Sequence, residues 1–259
     1  MTTRAFPTPA AFLGDRAVRV HLVGAGGTGS MLADHLGRLD RALREQNHPG
    51  LAVTVYDDAL VRTANIGRQR FAAGDVGFHK AIVLVQRIND HYALDWTTAL
   101  RRYGKAEPTP DLLIGCVDLG RFRYDLGMAN ANKSTDCLWL DTGNGADRGQ
   151  VLCGHLGRPQ RGLRLPNVYD LYRDELLSGD DDDLPSCSLA EALSRQHWSV
   201  NPTIAVAAAE LLDNLFHHGG LDAHGAYIRL NPMSIQSVPV DPNAWALLGY
   251  RAPRRRKAA

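Results

Sequence analysis

The sequence contains no CxxC pair, no long apolar run and no marked excess of either charge, and each absence removes a class of protein. Its four cysteines, Cys116, Cys137, Cys153 and Cys187, are widely scattered, which argues against a zinc knuckle or a redox dithiol. No segment approaches the ~20 apolar residues of a membrane span. Residues 1–14 lack a basic start followed by a long apolar stretch, so no signal peptide is expected. A cytoplasmic protein with reduced thiols is the expectation. The formal net charge of +1 points to neither a nucleic-acid footprint nor a trap for acidic substrates. There is no internal repeat. The two charge runs, acidic at 180–183 and basic at 254–257, read first as a solvated loop and a solvated tail.

What is present is an ordinary globular composition, 44% hydrophobic and 22% charged over 259 residues. That length suits one generous α/β domain, with a core at about 16–157 and 200–240, a mobile loop at 158–187 and a basic tail at 251–259. Residues 17–23 read as a buried strand ending in Gly24. From 30 to 46 the apolar residues Met31, Leu32, Leu36, Leu39 and Leu43 recur at helical spacing, and the turn at 47–50 stops that helix. A second strand at 51–56 ends in Asp57 and Asp58. Further strands are expected at 111–117 and 138–142, with one near the sheet edge at 150–154. Helices are expected at 80–89, 188–195 and 202–216, and 227–240 alternates as a strand or hairpin. Strands alternating with helices predict a doubly wound, mainly parallel sheet. Prolines 159, 166 and 185 and Gly179 mark 158–185 as a surface loop.

Gly24-Ala-Gly26-Gly27-Thr-Gly29 lies between a strand and a helix, where backbone amides at the helix N-terminus can cradle phosphate. This loop alone fits dinucleotide enzymes as well as ATP enzymes. Asp57 is placed to accept from a ribose. The discriminating residues follow: Asn65, Arg68 and Gln69 begin eight positions beyond Asp57, and Lys80 comes later. Hydride transfer has no need of two cations there, whereas attack on the α-phosphate of ATP builds negative charge that must be neutralised. Asp118, at the end of the strand 111–117, is the hard oxygen ligand that magnesium prefers.

The order Gly-x-Gly-Gly-x-Gly, strand-end Asp, Asn-x-x-Arg-Gln, Lys and Asp-x-x-x-x-Arg resembles the ThiF/MoeB/ubiquitin-activating family over about residues 16–216. The resemblance implies a Rossmann-like adenylation domain with a crossover loop. It implies an enzyme that uses ATP and Mg2+ to adenylate the C-terminal carboxylate of a small ubiquitin-like protein. By position, Gly24, Gly26, Gly27 and Gly29 form the nucleotide loop, with Gly26 and Gly27 lining it, and Asp57 holds the ribose. Asn65, Arg68 and Lys80 address the phosphates, Gln69 supports their loop, Asp118 coordinates magnesium and Arg123 is a structural partner of the site. Cys187 matches a cysteine that can form a thioester or persulfide-linked species. Its place before a helix suits a nucleophilic thiol, and a small semi-buried hydrophobe is the equal alternative. Within the family, Pro185-Ser-Cys-Ser-Leu-Ala-Glu-Ala-Leu and Arg229-Leu-Asn-Pro-Met resemble ThiF-like members of PRTRC cassettes in bacterial plasmids and integrated elements. That likeness implies a ubiquitin-conjugating-like protein as a further partner.

The sequence also departs from the family. The zinc-binding CxxC pairs are missing, so no structural zinc is expected, and Asp57 and Asp58 are adjacent rather than spaced by one residue. The N-terminal helix that lends an arginine to a neighbouring subunit is not recognisable. Arg4 and Arg16 are its weak substitutes, and the homodimer stays open. Two rival functions remain at this point: a nicotinamide-dependent oxidoreductase, resting on the glycine loop and Asp57, and a non-catalytic scaffold for a ubiquitin-like protein.

Overall fold

A computed structural model describes residues 4–104, 106–178 and 197–251. The strands are β1 (Phe6–Pro7), β2 (Val18–Val23), β3 (Leu51–Tyr56), β4 (Thr97–Ala99), β5 (Leu112–Gly115), β6 (Leu138–Asn144), β7 (Arg148–His155), β8 (Gly220–Leu221), β9 (Ala223–Leu230) and β10 (Met233–Pro239). Eight of them make one sheet in the order β10-β9-β7-β6-β5-β2-β3-β4. The half from β4 to β6 is parallel and the half from β6 to β10 is antiparallel.

Alternation along the central strands sorts side chains to two faces. Leu112 and Ile114 of β5 join Val20 and Leu22 of β2 in one core, under α1 (Gly27–Glu45) and α2 (Lys80–Tyr92). Leu113 faces the other way, with Trp139 and Leu152, under α3 (Gly120–Asn130), α4 (Val168–Tyr172) and α5 (Glu175–Ser178). A sixth helix, α6 (Val200–His217), returns to the first face and packs along α1 through Ile204, Ala205, Ala208 and Leu212. Helices on both faces of a sheet with a parallel half are the doubly wound architecture expected.

Three expectations change. The strand at 150–154 is not near the edge: β7 runs Arg148–His155 between β6 and β9, because the C-terminal hairpin β9–β10 adds outside it. The strand expected at 111–117 closes at Gly115, and the unforeseen helix α3 follows, its apolar pattern diluted by Gly120, Gly127 and three charged residues. The segment 158–178 is not a free surface loop. Leu165, Val168 and Asn167 are buried, the Asn167 side chain accepts from the Asp170 amide at 3.1 Å to cap α4, and Arg164 pairs with Asp170 at 2.8 Å. The rest of that loop, the helix at 188–195 and Cys187 lie outside the described residues. The chain also continues past the hairpin into α7 (Pro242–Leu247), which seats the fully buried Trp245.

Trp245 is anchored by a histidine that must stay neutral. The Trp245 indole donates to His224 Nε2 at 2.9 Å, and His224 Nδ1 donates to the Cys153 carbonyl at 2.8 Å. His155 is likewise buried, accepting from the Leu165 amide at Nδ1, 3.0 Å away. Burial lowers both imidazoles from 6.5 to about 4. Folded values below the unfolded one mean that stability is complete above pH 6.5 and lost as pH falls from there towards 4. Urea midpoints measured across that window should fall, with a limiting slope of about 3 kcal/mol per pH unit while both groups titrate. A midpoint unchanged from pH 7 to pH 4.5 would contradict it.

Candidate functional site

The carboxyl ends of β2, β3 and β5 open into a cavity of about 550 Å³, within the usual range for a small-molecule site. Its floor is the glycine loop. Gly24 has φ +95°, a left-handed conformation, and an added Cβ would lie 2.6 Å from the Cys116 carbonyl of the neighbouring strand end. Gly27 opens α1, and an added Cβ there would strike the Asn201 side chain. Helix α1 therefore starts three residues earlier than its apolar pattern suggests, with its first amides facing the cavity. Gly24, Gly26 and Gly27 line that cavity. Gly29 does not; it lets α1 sit close on Gly24 and Cys116.

Asp57 ties the loop to β3. One carboxylate oxygen accepts from the Ala25 amide at 2.7 Å and the other from the Ala59 amide at 2.8 Å. Each oxygen keeps a second lone pair, so a ribose hydroxyl still has acceptors. Lys80, the first residue of α2, lines the cavity, and burial lowers its pKa against the opposing pull of Asp57 and Asp118. Arg68 shows the same pattern: burial lowers its pKa, and Asp118 partly restores it. Two cations whose charge is penalised by burial gain from an incoming anion.

The segment carrying Arg68 is held against α1 by the Arg70 amide donating to Ser30 Oγ at 3.1 Å and by an Arg70–Asp34 ion pair at 2.9 Å. Gln69 also lines the cavity, and its Oε1 is buried without a hydrogen-bond partner, an acceptor suited to a ligand hydroxyl or amine. Asn65 is different. Its Oδ1 accepts from the Arg62 amide at 2.8 Å and closes the turn Thr63–Asn65, and the residue does not line the cavity. The structure gives it a place in shaping the Arg68 loop.

Asp118 lies in the loop between β5 and α3 and lines the cavity opposite Lys80 and Arg68. The described residues hold no cluster of three or more His, Cys, Asp or Glu side chains that could chelate a metal alone. One carboxylate beside phosphate oxygens is nevertheless the donor set magnesium takes. Behind Asp118, Arg123 is buried and its Nε donates to both oxygens of Asp141 at 2.9 Å, while Nη2 donates to the Thr142 carbonyl at 2.8 Å. Burial opposes the guanidinium charge, but Asp141 outweighs it and raises the Arg123 pKa.

Several cavity residues escaped the sequence reading. Asn201, at the start of α6, and Asn144, at the end of β6, meet Thr28 in a polar triangle. Asn144 Nδ2 donates to Asn201 Oδ1 at 2.7 Å, and Thr28 Oγ1 donates to the same oxygen at 3.2 Å. Neither asparagine sits in a motif, so no local signal marks it. Tyr56, Arg101 and Tyr103 form the far wall. Tyr56 donates to Glu107 at 3.0 Å and lies under Arg101, and its pKa is pushed up to about 12 by burial and that bond.

The remaining sequence candidates fall elsewhere. Arg4 pairs with Asp222 at 2.6 Å. Arg16 pairs with Asp111 at 2.6 Å, at the end of β5 remote from the cavity. Both guanidiniums are thus committed within the chain. Cys153 is a fully buried core residue, and burial pushes its pKa up to about 12. Cys116 borders the cavity, but burial holds its thiol at about 12 as well.

No family model and no curated protein matches this sequence. Solved structures do share the fold. Escherichia coli MccB with ATP superposes with a TM-score of 0.60 at 14% identity, over 94% of this chain and 67% of that one. MccB with MccA gives 0.61 at 14% identity, over 95% and 68%. PaaA gives 0.61 at 12% identity, over 90% and 76%. The chain thus spans about two thirds of MccB, and the Rossmann-like fold expected from sequence is the one observed.

The Arg123–Asp141 pair is the buried charge pair behind the site. Asp141→Ala strands the guanidinium and should cost about 3–5 kcal/mol in urea unfolding, far above an exposed pair. A loss below ~1 kcal/mol would show that solvent reaches Arg123.

Proposed function

We propose that the chain is an adenylyltransferase that uses ATP and magnesium to activate the C-terminal carboxylate of a small ubiquitin-like protein. The observation that carries the proposal is the convergence of Arg68 and Lys80 on the cavity in front of the α1 amides, with Asp57 and Asp118 beside them. Hydride transfer does not call for two half-buried cations at the phosphate end, and a scaffold does not call for the cavity. The fold shared with MccB, a protein seen with ATP and with MccA, supports the reading. The ubiquitin-like partner rests on the sequence resemblance to the ThiF/MoeB family, and the PRTRC assignment on the two stretches at 185–193 and 229–233.

The chain's residues act by position and charge. Asp57 takes the ribose, Gly26 and Gly27 present their backbone to the phosphates, and Lys80 and Arg68 neutralise them. Asp118 would hold magnesium, which supplies further charge neutralisation on the phosphates. A carboxylate oxygen of the partner then forms a bond to the α-phosphorus. The bond from that phosphorus to its bridging oxygen breaks, and pyrophosphate leaves with the electron pair. The product is an acyl-adenylate. Exchange of labelled pyrophosphate into ATP tests this directly. Asp118→Ala should slow the exchange at least ~10²-fold while the fold persists, and ATP with magnesium should raise the melting temperature where NAD does not. Stabilisation by NAD alone would place the chain among the oxidoreductases, and partner binding without exchange would make it a scaffold.

A thiol transfer follows in the same proposal. Among the described cysteines, Cys137 and Cys153 are buried, and burial raises the pKa of all three. Cys187 is left as the acceptor: its thiolate attacks the acyl carbon, a thioester forms and AMP departs. Cys187→Ala should keep pyrophosphate exchange and lose the reducible partner adduct on a non-reducing gel. An adduct that persists in the variant assigns the thiol to a partner protein.

A further inference from the structure

We infer that a groove beside the nucleotide cavity reads an acidic side chain lying a few residues before the partner's C-terminal carboxylate; the inference rests on the adenylation reading. The groove, about 650 Å³, lies on the antiparallel half of the sheet, and Asn144 lines both it and the nucleotide cavity. Gly143, Gly145 and Gly149 border it next to Asn144, so few side chains stand between the two spaces. A tail lying along the sheet has a direct route from groove to phosphate.

The charge of the groove has one sign. Arg148 on β7 and Arg229 on β9 stand opposite each other in the strand register, and Ser234 of β10 completes that row. Both arginines line the groove, and among the described residues no acidic one does. Among the described residues Arg148 pairs with its neighbour Asp147, Nε to Oδ1 at 3.3 Å, and Arg229 has no ion pair. The next row, Gln150, Tyr227 and Gln236, offers neutral hydrogen-bonding groups. Two facing guanidiniums form a fork for a carboxylate. A neutral or basic side chain there would gain nothing or be repelled.

Strand spacing sets the position of that carboxylate. Arg229 is two strands from β6, roughly 10 Å at about 4.8 Å per strand. Extended chain advances ~3.3 Å per residue, so about three residues cover the distance. With the terminal residue inside the nucleotide cavity, the acid falls about third to fifth from the end.

The test uses the full chain and fluorescent octapeptides with a free terminal carboxylate, each carrying one Asp third, fourth or fifth from the end. At low salt the best Asp peptide should bind about 10-fold tighter than its Asn counterpart and tighter still than its Lys counterpart. The preference should shrink with added salt and drop below ~2-fold in Arg148→Gln/Arg229→Gln, whose exposed substitutions leave the melting temperature unchanged. Equal binding of the Asp, Asn and Lys peptides, or no binding by any, overturns the inference. Pyrophosphate exchange on the same peptides separates the two readings. Charge-dependent binding without exchange keeps the groove and discards adenylation. Exchange with equal kcat/KM for all three keeps adenylation and discards the arginine fork.

Discussion

The close approach of α1 to the strand ends is the constraint on which the site depends. Gly24 turns left-handed against the Cys116 carbonyl, Gly27 meets Asn201, and Gly29 rests on the Gly24 backbone. A Cβ at Gly24 or Gly29 would strike backbone of the strand ends, and one at Gly27 would strike the Asn201 side chain. Because the helix begins so near β2, its first amides face the cavity and Asp57 reaches back to the Ala25 amide. The same closeness lets Asn144 and Asn201, from β6 and α6, converge on Thr28. The phosphate loop is thereby fixed from three sides before any ligand arrives, and that preorganisation saves the cost of ordering it on binding.

Around this loop the charges are left in partial imbalance. Lys80 and Arg68 are penalised by burial and only partly compensated by Asp57 and Asp118. The contrast is Arg123, more deeply buried and engaged by Asp141 and the Thr142 carbonyl. One arginine is satisfied within the fold and stabilises it. Lys80 and Arg68 instead line the cavity, where an incoming anion would add to the compensation that Asp57 and Asp118 give.

The parallel half of the fold was legible because buried parallel strands and their crossovers leave strong local marks. The apolar runs of β2 and β3, the glycines at the turn and the helical spacing of Leu32, Leu36 and Leu43 each need only a few neighbouring residues to be read. Helix α3 was missed because its sequence, GRFRYDLGMAN, carries almost no amphipathic stripe; it forms because Phe122 and Leu126 find the core beneath Trp139. The segment around Leu165 and Val168 reads as a loop by its prolines, yet Val168 fills the same core and Leu165 the core on the other face. In the site, motif residues were found and Asn144, Asn201 and Tyr103 were not. Their roles arise from long-range convergence, 57 residues apart for the two asparagines, and no local pattern encodes it. Asn65 is a motif residue whose side-chain oxygen also closes its own turn.

The two halves of the sheet divide the work. Parallel strands end together, so their loops can gather Asp57, Asp118 and the glycine loop at one edge. Antiparallel strands cannot do that, but their paired rows place side chains from three strands in line across one face, as Arg148, Arg229 and Ser234 are. The first arrangement suits a compact polyanion, the second an extended chain. Asn144 stands where β6 passes from its parallel neighbour β5 to its antiparallel neighbour β7. At that seam a carboxylate at the end of an extended chain can meet a phosphate. The change of strand direction at β6 thus puts two kinds of binding surface within one residue of each other.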